Sequence, residues 1–327
     1  MSKFGNFWKT LLAGGAGFAA LAAVNATIRK NPLEPDDSVL GGTANYFNWK
    51  HGRIFYKEAG LKKIGLPVVF IHGVGAGQSS FQWRKNFDPL SETFRVYAID
   101  LLGFGLSDKP AGAAYSTELY VELLSDFLRE VVQGPANIVA SGLGASYSIR
   151  VADEHPELVN ALILNSPVGY ANPNARPGMT GAAFYGLLQS PVLGTSFYNV
   201  MASERSIRDY ARRSLFYDYR RITNRLVSNL YASSHQPGAQ HAMAAYISVY
   251  LNADISVPFS RLDQPTLLVW GKQDTLTPIS QAYQLLDLNA RTGLRIYDFC
   301  RAMPEQEYPE EYNDLIIQTF RARAAAR

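Results

Sequence analysis

Residues 137–145 read Asn-Ile-Val-Ala-Ser-Gly-Leu-Gly-Ala, a short apolar run that passes directly into small residues. An apolar run of this length, bounded by small residues, indicates a buried β-strand. Small residues and glycine permit the sharp backbone turn that leads from a strand into a helix. We therefore expect a strand, a tight turn and a helix that ends near His155-Pro156.

The same alternation of strands and helices continues in both directions along the chain. A hairpin is predicted around the His51-Gly52 turn, and a helix over 116–132. Further apolar runs predict strands at 67–71, 94–100, 158–164, 265–270 and 294–299. Strands that alternate with helices indicate an α/β fold with a mostly parallel sheet covered on both faces. Residues 168–262 break this rhythm and predict a helical insertion over the edge of the sheet.

The N-terminus carries an apolar segment, Leu11–Ile28, of 18 residues without a charge. This length is near the minimum for a membrane-spanning helix, and aromatic and basic residues flank the segment. We therefore expect residues 1–30 to form a single-pass transmembrane anchor, with the side of the membrane left open. A cleaved signal peptide ending near Ala26 and a soluble apolar helix remain as alternatives. Residues 31–44 are predicted as a linker, and residues 45–327 as the folded domain.

The composition excludes several classes of site. The chain has a single cysteine, Cys300, so an internal disulfide and a cysteine-based metal site are ruled out. The net charge is +3 and no run of Lys and Arg is present, so no nucleic-acid partner is expected. No metal site and no cofactor are predicted.

Three motifs stand directly after predicted strands. They are His72-Gly73, the stretch Asp100-Leu-Leu-Gly-Phe-Gly-Leu-Ser-Asp-Lys-Pro110, and Gly271-Lys-Gln-Asp274. Together they resemble the α/β-hydrolase family from about Asn45 to Phe320. The resemblance implies an eight-stranded α/β-hydrolase sheet, with residues 168–262 as a helical lid.

The family's catalytic positions are occupied by unexpected residues. The family places its serine nucleophile in a Gly-x-Ser-x-Gly turn, and the matching position here is Gly142. The acid position is Asp274. The histidine position, fixed by Pro304 and the following Pro309-Glu310-Glu311, is Ala302, and no histidine follows His241. The resemblance therefore implies a degenerate triad, as in a pseudoenzyme.

Other residues near these positions remain candidates for binding or catalysis. Backbone N–H groups at Gly73, Val74 and Leu143 are possible contacts for an oxyanion or ligand. Ser141 is an alternative nucleophile. A lid histidine, His235 or His241, is an alternative base.

Two functions follow from these observations. The first is a catalytically inactive homologue tethered to a membrane, which serves as a binding or accessory subunit of a membrane protein complex. Its partners would be an integral membrane protein and an apolar small-molecule ligand. The alternative is an active serine hydrolase that acts on a lipophilic ester through Ser141 or a lid histidine.

Overall fold

The structure, a computed structural model, describes residues 17–28, 30, 33–170 and 177–324. Its centre is an eight-stranded sheet with the strand order β1-β2-β4-β3-β5-β6-β7-β8. The strands are β1 Thr43–Trp49, β2 Gly52–Ala59, β3 Val68–Ile71, β4 Val96–Ile99, β5 Ala136–Ser141, β6 Val159–Asn165, β7 Thr266–Gly271 and β8 Gly293–Tyr297. β2 pairs antiparallel with β1 and β4, and all other pairs are parallel. The predicted mostly parallel eight-stranded sheet is confirmed.

Helices connect the strands and cover the sheet. In chain order they are α1 (17–28), α2 Phe87–Ser91, α3 Thr117–Phe127, α4 Gly142–Glu154, α5 Met179–Leu188, α6 Leu193–Met201, α7 Glu204–Tyr210, α8 Asn224–Ser234, α9 Ala239–Ile247, α10 Ser256–Arg261, α11 Ser280–Leu288, α12 Pro304–Glu307 and α13 Pro309–Ala324. Helices α5 to α10 lie between β6 and β7, within residues 168–262, where the sequence predicts a helical insertion.

Side chains of the central strands alternate between two hydrophobic cores. In β3, Val69 and Ile71 belong to the core under α3 and α4, whereas Val68 and Phe70 belong to the core under α2 and α13. Because successive residues of a strand point to opposite faces, a continuous apolar run supplies both cores at once. This packing holds the carboxyl ends of β3, β5, β6 and β7 together at one edge, where the site lies.

The expected transmembrane helix is wrong. Across the described residues, no helix combines the length and the apolar character that a membrane span requires. Residues 11–16 of the predicted segment lie outside the described residues.

Contacts of α1 give the physical reason for this correction. The side chain of Asn25 is buried against α6. Its Nδ2 donates to the carbonyl oxygen of Val192 and to Ser196 Oγ, each at 3.0 Å, and its Oδ1 accepts from Asn199 Nδ2 at 3.0 Å. Among the described residues of α1, Asn25 is buried, whereas Phe18, Leu21 and Val24 are exposed. Hydrogen bonds of this one polar side chain therefore attach the segment to α6.

Candidate active site

The turn from β5 into α4 has the backbone of a nucleophile-bearing turn without a side chain at its apex. Gly142 begins α4 with φ +55°, in the left-handed region. A Cβ added to Gly142 would meet only Gly73 Cα, at 3.8 Å, so the space for a side chain exists. Gly144 differs, because a Cβ there would lie 2.4 Å from the carbonyl oxygen of His72. Gly144 is thus required for the close approach of α4 to the end of β3.

The loop after β3 forms the facing wall. His72 is fully buried; its Nε2 accepts from the backbone N–H of Leu101 at 3.0 Å, and its Nδ1 donates to Gly73 O at 2.7 Å. Burial lowers the pKa of His72 and favours the neutral ring. The N–H of Gly73 donates to Gln82 Oε1 at 2.9 Å. These bonds fix the loop that carries Gly73 and Val74.

Asp274, which follows β7, is held in place by three hydrogen bonds. Its Oδ1 accepts from the N–H groups of Leu276 and Thr277 at 2.8 and 3.1 Å, and its Oδ2 accepts from Ser166 Oγ at 2.9 Å. Burial raises the pKa of Asp274, opposed by these bonds and by the charge of Arg301. The carboxylate is therefore more basic than one in water.

Ala302 lies in the loop between β8 and α12. The preceding Arg301 donates from its N–H to Glu307 Oε2 at 3.0 Å and from Nη1 to the carbonyl oxygens of Arg212 and Arg213, which ties the loop to the lid. Ala302 itself brings only a methyl group. The loop is well fixed, but it carries no proton-accepting side chain at this position.

A buried carboxyl group supports this loop from below. Glu305 is 0% exposed, and its two oxygens accept from Gln82 Nε2 at 2.9 Å and Asn165 Nδ2 at 3.1 Å. Burial raises the pKa of Glu305 to about 7. Because Gln82 also binds Gly73, the charge of Glu305 is connected to the wall of the site by two hydrogen bonds.

These elements enclose a cavity of about 430 Å³, a size typical of small-molecule sites. Apolar side chains form most of its wall, with a few polar groups among them. The lining residues include Gly73, Val74, Gln78, Ser141, Gly142, Leu143, Ser166, Val168, Tyr210, Leu215, Tyr246, Ile247, Val249, Asn252, Asp274, Leu276, Thr277, Ala302 and Met303.

Seven of the nine candidate residues from the sequence line this one cavity: Gly73, Val74, Ser141, Gly142, Leu143, Asp274 and Ala302. The lid histidines do not. His235 stacks on Tyr231 with ring centroids 3.9 Å apart, and His241 binds the side chain of Gln189. Among the described residues, the cavity lining contains no histidine, lysine or arginine.

Sequence reasoning missed six polar residues of the cavity, among them Ser166, Tyr210 and Tyr246. Ser166 binds Asp274 and has φ +42°, which is unusual for a residue other than glycine. Tyr210 and Tyr246 reach the cavity from α7 and α9. A serine after a strand and two tyrosines in a helical insertion carry no sequence signal that separates them from their many neighbours of the same types.

Comparison with known proteins gives a consistent assignment. A family model described as "alpha/beta hydrolase fold" matches residues 67–307. The 2-hydroxymuconate semialdehyde hydrolase of Pseudomonas sp. (strain CF600) is 25% identical and covers 77% of this chain and 86% of its own. The 2-hydroxy-6-oxo-6-(2'-aminophenyl)hexa-2,4-dienoic acid hydrolase of Metapseudomonas resinovorans is 28% identical and covers 82% and 88%.

A solved structure supports the same fold. The meta-cleavage product hydrolase of Pseudomonas fluorescens IP01 superposes with a TM-score of 0.71 over 88% of this chain and 100% of its own, at 23% identity.

These relatives overturn the first of the two expected functions. The curated relatives are hydrolases that act on small molecules, so the expectation of a catalytically inactive accessory subunit is wrong. The expected membrane localisation and the integral membrane partner rested on the transmembrane helix, and they are withdrawn with it. The expectation that the chain is not an enzyme finds no support among hydrolase relatives.

Proposed function

The chain belongs to the α/β-hydrolase fold family, and from this premise we propose that it hydrolyses a small, largely apolar ester in the cavity below the lid. The observation that carries the proposal is the convergence of Ser141, two loops of backbone N–H groups and Asp274 on one apolar cavity. Two non-glycine residues with left-handed backbone, Ser166 and Val249, also line it, as is common where a site constrains the chain. Residues 168–262 are the proposed lid of residues 45–327.

In this proposal Gly142 and Ala302 occupy the family's serine and histidine positions, so other groups carry the chemistry. The N–H groups of Val74 and Leu143 hold the substrate carbonyl oxygen and stabilise its developing negative charge. Ser141 supplies the hydroxyl. Its Oγ would lie 3.7 Å from a Cβ placed on Gly73, and thus faces the loop that contains Val74.

Asp274 is the proposed proton acceptor. Ser141 Oγ attacks the carbonyl carbon while its proton passes through one water molecule, held in the space beside Ala302, to the Asp274 carboxylate. The proton then returns to the leaving alkoxide, which departs as the alcohol. A second water hydrolyses the acyl group on Ser141 by the same route and regenerates the free hydroxyl. A carboxylate acting through water is a weaker base than a positioned imidazole, so turnover is expected to be slow.

The test is hydrolysis of p-nitrophenyl butyrate by the purified chain, with labelling by a fluorophosphonate probe. We expect slow turnover and labelling that both disappear in Ser141→Ala. Ser148→Ala is the matched control, because Ser148 lies on α4 with its Oγ bonded to the carbonyl oxygen of Gly144. Absence of turnover in the unaltered chain, or turnover that survives Ser141→Ala, contradicts the proposal.

A further inference from the structure

The cavity has an unbalanced charge. Asp274 is its one acidic lining residue, and none of the described lining residues is cationic. The Asp274 carboxylate is 6% exposed and retains only hydrogen bonds from neutral donors, namely two backbone N–H groups and Ser166. Buried charges in proteins are ordinarily paired with an opposite charge. The buried carboxylate of Asp274 therefore has no cationic hydrogen-bond partner.

The cation that acts on Asp274, Arg301, donates its hydrogen bonds to other groups. Arg301 acts on Asp274 electrostatically, but its Nη1 donates to the carbonyl oxygens of Arg212 and Arg213. Arg301 does not line the cavity. Even with this charge nearby, burial leaves the pKa of Asp274 above its ordinary value. A cation that enters the cavity would relieve this cost, whereas an anion would add to it.

The walls next to Asp274 suit an organic cation. Ala302 contributes only a methyl group to the cavity that Asp274 also lines, so it leaves room there for a ligand. The aromatic rings of Tyr210 and Tyr246 line the same cavity, and aromatic faces attract cations. Burial raises the pKa of the Tyr210 phenol, and Tyr246 and the charge of Asp274 raise it further, so the phenol is within electrostatic reach of the carboxylate.

We propose that the cavity binds ligands that carry a protonated nitrogen, with the nitrogen beside Ala302 and paired with the carboxylate of Asp274. The ligand class is an amine or imidazole attached to an apolar body that fits about 430 Å³. This inference deepens the proposed function and rests on it for the identity of the site. In its neutral form, such a nitrogen replaces the bridging water as acceptor of the Ser141 proton, and Asp274 stabilises the cation that forms. This cation then returns the proton to the leaving alkoxide, which departs as the alcohol.

The experiment compares three ligands of similar size by calorimetry: phenethylamine, phenethyl alcohol and hydrocinnamate. They share an aromatic body and differ in the charge of the head group. At pH 7.5 we expect phenethylamine to bind at least about tenfold more tightly than phenethyl alcohol, since a hydrogen bond to a charged group contributes more than a neutral one. Hydrocinnamate is expected to bind most weakly.

Variants identify the partner of the amine. Asp274→Asn should remove the preference for phenethylamine over phenethyl alcohol. Asp263→Asn is the matched control, because Asp263 is an exposed carboxylate paired with Arg291 at the surface. Ala302→Leu fills space in the cavity without altering the carboxylate. It should weaken phenethylamine binding by about tenfold, the size of the expected preference for the amine.

Equal binding of the amine and the alcohol, or a preference that persists in Asp274→Asn, overturns the inference. Calorimetry measures binding without turnover, so the two proposals fail separately. An amine preference without esterase activity removes the hydrolase proposal. Esterase activity without an amine preference removes this inference.

Discussion

Two walls of the same cavity are built in contrasting ways. At the acid wall, Asp274 is held by Ser166 and two backbone N–H groups, so a functional side chain is fixed by specific bonds. At the turn wall, Gly142 and Ala302 bring no functional side chain, although the backbone that presents them is fully formed. The difference shows that backbone geometry follows from the packing of strands and helices, whereas chemistry depends on individual side chains that the fold does not require.

The largest expected effect, on the rate of ester hydrolysis, comes from placing a serine and a histidine at the two positions of the turn wall. Gly142→Ser combined with Ala302→His should raise the hydrolysis of p-nitrophenyl acetate on the order of a thousandfold, because serine and histidine act as a unit. The space at Gly142 accommodates a Cβ, whose nearest neighbour would be Gly73 Cα at 3.8 Å. Steady-state kinetics on the double variant provide the measurement.

The two single variants serve as controls for this gain. Each single variant should hydrolyse p-nitrophenyl acetate at about the rate of the unaltered chain, because neither completes the serine–histidine pair. Adding Asp274→Asn to the double variant should remove most of the increase. A folded double variant, judged by circular dichroism, that is no faster than the unaltered chain would show that the walls are not aligned for catalysis.

Within the turn wall, two glycines should differ in their cost of substitution. Gly144→Ala is expected to lower the free energy of unfolding by about 3 kcal/mol, because the new Cβ would lie 2.4 Å from the His72 carbonyl oxygen. Gly142→Ala should cost about 1 kcal/mol, mainly for its left-handed backbone. Chemical denaturation of both variants provides the comparison, and equal costs would contradict it.

A smaller effect, on the pH dependence of the free energy of unfolding, is expected from Glu305. Its folded-state pKa is raised from 4.5 to about 7, so the folded protein binds more protons than the unfolded chain in that range. The free energy of unfolding should therefore fall as the pH rises from about 4.5 to about 7, by between about 1 and 3 kcal/mol. Denaturation at pH 5 and pH 8 measures this fall.

Glu305→Gln is the matched variant, since it keeps the shape of the side chain and removes its titration. The fall in stability between the two pH values should be smaller in this variant. Asp274, whose pKa is also raised, should leave part of the fall in place. An unchanged fall in Glu305→Gln would show that Glu305 is not the group responsible.

Sequence reasoning predicted the sheet because the buried strands are continuous apolar runs. The resemblance to the α/β-hydrolase family pointed to Gly142, Asp274 and Ala302, and all three line the cavity, while their catalytic roles stay a prediction. Ser166 was out of reach, because its role arises only when β6 and β7 lie side by side. Glu305 was equally hidden: it stands in a charged run, Pro304-Glu-Gln-Glu307, that resembles an exposed surface but is buried throughout.

The error at the N-terminus has a similar origin. An apolar segment without charges can form a membrane helix or a helix attached to a folded domain, and composition alone does not separate the two. The polar residue that distinguishes them, Asn25, stands near the C-terminal end of the expected membrane segment. Its partners on α6 lie more than 160 positions away in the sequence, so they become visible only in the folded chain.

The attachment of α1 to the lid has a consequence for hydrogen exchange. Helices in proteins owe most of their stability to packing, and among the described residues of α1 the buried one is Asn25, so α1 depends on α6 for its persistence. The amide hydrogens of α1 are therefore protected only while the Asn25 contacts to α6 remain in place, and each opening of that interface exposes them to solvent. Segments that open together exchange as one cooperative unit. The first helix of the chain should thus exchange in step with a lid helix that follows it by more than 160 residues.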